Sequence, residues 1–115
     1  MSISVYIIAY NEAKKIADTI NSVLWADEII VADSASTDET VRIAQDLGAR
    51  VVQVPFHGFG HLRNQAIKSC THEWIFSLDT DEQCTPEVRD EVLMILSGTP
   101  AHDAYLVPRR NYFMG

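Results

Sequence analysis

Trp74-Ile75-Phe76-Ser77-Leu78-Asp79-Thr80-Asp81 is the stretch that decides the fold. Its first five residues form an apolar, β-prone run of the kind that lies buried within a parallel sheet. The run ends at two carboxylates one residue apart, so the chain leaves the sheet there for a loop at its edge. Acids so close repel each other unless solvent or a cation separates them. Hard oxygen donors on a short loop suit Mg²⁺ or Mn²⁺, ions that often hold a substrate diphosphate as well. Taken by itself, the Asp-x-Asp pair reads as a solvated turn on an acidic protein. The rest of the chain decides between the two.

Working outward, the same grammar recurs. Ser2 to Tyr10 is a nearly continuous β-prone run and reads as a central strand. Asn11 is placed to cap a helix whose apolar stripe is Ile16, Ile20, Val23 and Leu24. Glu28 to Ala32 reads as a second strand. Ser36-Thr37-Asp38-Glu39 has the form of a capping box, ahead of a helix facing inward through Val41, Ala44 and Leu47 and closed by Gly48. Val51 to Val54 is a third strand, stopped by Pro55. Phe56 to Gly60 reads as a loop, followed by a short helix through Leu62, Ala66 and Ile67. Beyond the acidic pair, Thr85-Pro86-Glu87 supplies an N-cap, a proline at N1 and a first-turn acid. Val88, Val92, Ile95 and Leu96 give that helix its buried stripe, and Ala104 to Val107 is the last expected strand.

Strands alternating with helices imply a parallel sheet with right-handed crossovers and helices on both faces. Ligands of such sheets bind at the carboxyl ends of the strands. Polar clusters follow strands one, two and four: Tyr10-Asn11-Glu12, Asp33 through Asp38, and Asp79-Thr80-Asp81. Singly, Asn11 and Ser36 serve as helix caps and Asp33 as a strand end. Jointly, at one sheet edge, they make a site.

Composition narrows the class. A chain of 115 residues holds one domain with one modest core. A formal net charge of −7 argues against a nucleic-acid partner, which calls for a basic face. It allows an anionic nucleotide whose phosphates a metal neutralises. Cys70 and Cys84 stand in no metal-ligand spacing and read as reduced thiols of a cytosolic protein. The N-terminus lacks the basic region of a signal peptide, and no apolar segment is long enough to span a membrane. His57 and His61 flank a glycine loop without a third ligand at metal-site spacing. Trp25 and Trp74 read as packing residues.

The ordered set Ala9-Tyr10-Asn11-Glu12, Asp33-Ser34-Ala35-Ser36-Thr37-Asp38-Glu39-Thr40, Gly60-His61-Leu62-Arg63-Asn64-Gln65-Ala66 and Leu78-Asp79-Thr80-Asp81 resembles family 2 glycosyltransferases of the GT-A fold. The likeness covers nearly the whole chain. The closing Arg-Asn-Tyr-Phe-Met-Gly segment is similar to the branch that adds sugars to lipopolysaccharide core.

The resemblance implies an α/β, Rossmann-like domain whose residues 1–115 are its nucleotide-sugar-binding part, with the chain continuing past Gly115. It implies a nucleotide-diphosphate sugar donor, most often a UDP-sugar, and a glycan or lipid-linked acceptor. Ala9, Tyr10, Asn11 and Glu12 would line the base and ribose pocket, with Ser34 beside it. Asp33 would accept the ring N–H of a uracil. Arg63 would bind phosphate oxygens through its fork. Asp79 and Thr80 would lie near the ribose, and Asp81, aided by Asp79, would hold Mg²⁺ or Mn²⁺. The location implied is cytoplasmic, with peripheral attachment at the inner face of the cytoplasmic membrane as a further option. The Asp or Glu base of inverting members is expected beyond Gly115, because Asp103 is the sole acid after Ala101 and precedes the last strand. An apolar face left for a C-terminal region would favour dimerisation.

Two other readings compete. One is a module that holds UDP and transfers nothing. The other is a phosphoacceptor receiver domain, which needs an acidic pair after strand one and a lysine after a late strand. The chain has Asn11-Glu12 and Arg109-Arg110 there. Sugar nucleotidyltransferases share the architecture but carry a glycine-rich phosphate loop after strand one, which this chain lacks.

Overall fold

A computed structural model describes residues 2–97 and the backbone of 106–107 and 112–114. The elements run β1 (Ile3–Ala9), α1 (Ile16–Asn21), β2 (Glu28–Asp33), α2 (Thr40–Asp46), β3 (Arg50–Gln53), α3 (Phe59–Ser69), β4 (Trp74–Asp79), α4 (Pro86–Leu96), β5 (Leu106–Val107) and β6 (Tyr112–Met114). They build one sheet in the order β3-β2-β1-β4-β6-β5. All pairings are parallel except β5 with β6.

Strand alternation divides the core into two layers. Ile3, Val5, Ile7 and Ala9 of β1 point to one face, where they meet Ile16 and Ile20 of α1, Ala44 of α2, and Val92, Ile95 and Leu96 of α4. Tyr6 of β1 and Ile30 of β2 point to the other face and pack under Leu62 and Ala66 of α3. Both faces of the central strands are therefore covered, which explains why β1, β2 and β4 carry near-continuous apolar runs. Each fully buried aliphatic side chain contributes about 1.5–3 kcal/mol.

Several local expectations are corrected. Asn11 caps no helix: its φ of 50° is left-handed, and α1 begins only at Ile16 after a turn closed on the Glu12 carbonyl. Leu24 falls outside the α1 stripe and is exposed. Ser36 and Glu39 form no capping box, because α2 starts at Thr40 and the Ser36 hydroxyl is bonded to Asp33 instead. Asp38 accepts the Thr40 N–H at 3.0 Å from outside the helix, rather than sitting in its first turn. The loop assigned to Phe56–Gly60 is shorter than expected, since α3 begins at Phe59 immediately after Gly58 at φ 96°. Val88 lies on the solvent side of α4. β6 was not foreseen, because a three-residue run is too short to carry a period. The Thr85 cap holds as expected, its side chain accepting the Val88 N–H. Ala104, Asp103, Arg109 and Arg110 lie outside the described residues.

Candidate functional site

The register of the three central strands brings their carboxyl ends level. Ala9 pairs with Asp33, and Ile8 pairs with Asp79. A cavity of about 800 Å³ opens at this edge. Tyr10 and Glu12 enter it from the β1–α1 loop and Ser34 from the end of β2. Arg63 comes from α3, and Asp79, Thr80 and Asp81 come from the end of β4. Of the residues expected at a donor site, Ala9, Asn11 and Asp33 do not line the cavity.

Each of these three is accounted for by its bonds or its burial. Ala9 is buried in the sheet. Asn11 laces two loops: its N–H donates to Ser36 Oγ at 2.8 Å, and its Oδ1 accepts the Thr37 N–H at 2.8 Å. Asp33 is 0% exposed. Its carboxylate accepts the Ser36 N–H and the Gln53 amide, both at 2.9 Å, and the Ser36 hydroxyl. Three of about four lone-pair positions are thus filled from inside the protein. Two further bonds join the same loops, Glu12 N–H to Thr40 Oγ1 and Ala13 N–H to Asp38 Oδ2. The Thr40 hydroxyl on Asp38 lowers that carboxyl below its ordinary value. Partial desolvation opposes the shift, and the Thr40 and Ala13 N–H groups support it.

The acidic loop is held from beneath. The buried Thr19 hydroxyl lies 3.1 Å from the Thr80 carbonyl and 3.3 Å from that of Glu82. The Glu82 N–H closes back on the Asp79 carbonyl at 2.9 Å. This arrangement turns Asp79 and Asp81 outward, both exposed. The Asp79 carboxylate accepts no hydrogen bond among the described residues. Asp81 forms an ion pair with Lys15, and that hydrogen bond and charge raise the Lys15 ammonium above its ordinary range. Arg63 pairs with no carboxylate among the described residues. No group of three or more His, Cys, Asp or Glu side chains able to hold a metal occurs among them either. Two exposed carboxylates on one cavity rim do fit Mg²⁺ or Mn²⁺, ions that use one or two protein carboxylates and complete their shell with phosphates and water.

Ile8, Leu62, Phe56 and Phe59 also line the cavity, and none was expected there. Phe56 and Phe59 are 55% and 68% exposed and meet edge to face, with centroids 5.3 Å apart. The signal was available: they follow β3, so topology alone puts them at the ligand-binding edge. Large aromatics in water there are costly unless something covers them.

The model of glycosyl transferase family 2 matches residues 4–115. The chain belongs to glycosyltransferase family 2. A glycosyltransferase of Rickettsia felis is 44% identical over 105 residues, covering 90% of this chain and 37% of the relative. The lipopolysaccharide core biosynthesis glycosyltransferase LpsC of Rhizobium meliloti is 29% identical over 120 residues, covering 100% of this chain and 44% of the relative. Among solved structures, glucosyl-3-phosphoglycerate synthase from Mycobacterium tuberculosis, in complex with Mn²⁺, UDP and glucosyl-3-phosphoglycerate, superposes with a TM-score of 0.69 at 32% identity. That match covers 84% of this chain and 40% of the synthase. The family 2 chain therefore spans less than half the length of these relatives, and its mostly parallel sheet is of the GT-A type.

Proposed function

We propose that this chain is the donor-binding part of a metal-dependent, inverting glycosyltransferase. Its donor is a UDP-sugar and its acceptor a cell-envelope glycan such as lipopolysaccharide core. One observation carries the reading: Arg63 and the Asp79–Asp81 pair open onto the same cavity as Tyr10, Glu12 and Ser34. That set combines a cation for phosphate, hard oxygens for a divalent ion, and an aromatic with polar partners for a nucleoside. The family and the Mn²⁺ and UDP of the mycobacterial synthase support it, and the Rhizobium relative supports the acceptor class.

In this reading Tyr10 supplies an apolar face for the base, and Glu12 and Ser34 take ribose hydroxyls. Asp33, buried and bonded to Ser36 and Gln53, would fix the loop that carries Ser34 rather than touch the base. Arg63 binds a diphosphate oxygen. Asp81 and Asp79 hold Mg²⁺ or Mn²⁺, which when bound supplies positive charge for the departing UDP. The acceptor oxygen bonds to the anomeric carbon, the bond from that carbon to the diphosphate breaks, and the acceptor proton passes to a base outside the described residues. A location at the inner face of the cytoplasmic membrane fits an envelope acceptor. No helix among the described residues is long and apolar enough to cross a membrane.

A second reading is a module that binds UDP and transfers nothing. It is favoured by the cavity-lining acids, Glu12, Asp79 and Asp81, all having donor-side roles in the first reading, which leaves none of them as the base. Transfer to any acceptor by the 115-residue chain would exclude it.

Calorimetric titration of UDP in Mn²⁺ and then in EDTA tests the donor site. Saturable binding that EDTA removes is expected. Asp81→Asn should abolish the metal-dependent part while leaving the far-ultraviolet dichroism unchanged, and wild-type-like binding in that variant would refute the metal role.

A further inference from the structure

Lys15 is the charged group at the site that the donor reading leaves unused. It stands at the N-cap of α1 and reaches Asp81, 66 residues later in the chain. The two side chains are 54% and 75% exposed. An ion pair so exposed adds little to stability, so holding the fold together does not explain it.

Its position does suggest a role. Lys15 takes Oδ1 of Asp81, the carboxylate that also rims the large cavity. Lys15 itself does not line that cavity. It lines an adjoining cleft of about 240 Å³ together with Asp18, Thr80, Asp81 and Gln83. The ammonium therefore leaves the donor volume open while neutralising Asp81, one of the three acids that line it. Asp18 in the same cleft, three residues along α1, and Glu12, whose charge also acts on Lys15, are at hand as other partners.

We propose that Lys15 is an internal counter-ion that makes divalent-ion binding at Asp81 conditional on the donor's diphosphate. The proposal rests on the donor-site reading above. Without a diphosphate, an arriving dication meets an acidic pair already half neutralised and a fixed positive charge beside it. The diphosphate brings the missing negative charge, and the ion and the nucleotide then bind as a unit. Lys15 is thus a positioning residue for cofactor order rather than a catalytic one.

Manganese binding followed by the spectrum of the free ion, with and without UDP, tests this in wild type, Lys15→Gln and Lys15→Arg. Lys15→Gln should bind Mn²⁺ alone about three- to tenfold more tightly, the scale of one removed repulsion near the surface. The coupling between Mn²⁺ and UDP should shrink, by one and the same factor whichever ligand is titrated. Lys15→Arg should match wild type. Unchanged or weaker Mn²⁺ binding in Lys15→Gln would overturn the proposal, and weaker binding of both ligands would assign Lys15 a merely structural role. Wild-type protein with no coupling at all would overturn the donor-site reading along with it. Normal wild-type coupling that persists in Lys15→Gln would overturn this proposal alone.

Discussion

Thr19 shows how one hydroxyl can set the geometry of a site it does not touch. It is buried against the carbonyls of Thr80 and Glu82, so it decides where the acidic loop turns. Thr19→Val keeps the shape and removes the one O–H donor, leaving the buried Thr80 carbonyl without it. The expected cost is about 1–2 kcal/mol, read as a fall in the urea midpoint at constant m-value. Metal-dependent UDP binding should weaken in parallel, because Asp79 and Asp81 lose their anchor. At this scale the sequence was partly legible. The acids after β4 announced themselves by charge. Asn11 and Ser36 looked like helix caps because a cap and a cross-loop bond use the same short polar side chains. Phe56 and Phe59 were passed over because a stretch with two glycines reads as plain loop, although their place after β3 set them at the ligand-binding edge.

Among the elements, the strands were easier to read than the helices. β1, β2 and β4 are covered on both faces, so their apolar runs are continuous and their limits fall within a residue or two of the expected ones. α4 was readable because its cap is written locally in Thr85 and Pro86. The starts of α1, α2 and α3 were not, since each depends on contacts made elsewhere in the fold or on Gly58. The other end of the sheet carries its own staple. Glu28 on β2 accepts the Ser4 hydroxyl of β1 at 2.8 Å and the Thr71 N–H at 3.0 Å, and it pairs with Arg50 of β3. Desolvation alone would raise its carboxyl. The Thr71 N–H, the two hydroxyls and Arg50 outweigh that and hold it below the ordinary 4.5. A carboxyl depressed on folding stabilises the protein fully above its unfolded pKa, and that stability is lost as pH falls through the folded one. Glu28→Gln should therefore cost about 1–2 kcal/mol near neutral pH. Urea midpoints of variant and wild type should converge as the pH drops below 4.5.

For the whole molecule, the order β2-β1-β4 sets the position of the site. The chain runs outward from β1 to β2 and β3, then returns across to β4. α1 and α4 lie on one face and α3 on the other, and the crevice opens at the strand ends among the β1–α1 loop, α3 and the end of β4. A ligand seated there touches loops from four strands and should stabilise the fold as one unit. UDP with Mn²⁺ at about a hundred times its Kd should add about 2.7 kcal/mol and raise the Tm by roughly 10 °C. Calorimetry in EDTA should show the shift gone. A rise that survives chelation would mean that the nucleotide binds without the ion.

The five hydrogen bonds that join residues 11–13 to residues 36–40 also have a mechanical meaning. They lock two loops into a single plate on one flank of the crevice. The flank built by Phe56, Gly58 and Phe59 turns on a glycine and ends in water-exposed rings. The crevice therefore has one jaw braced by bonds between loops. The fixed jaw presents its shape before any ligand arrives and loses little entropy on binding. The opposite flank meets a ligand through two exposed rings, so it offers apolar area rather than preset hydrogen bonds.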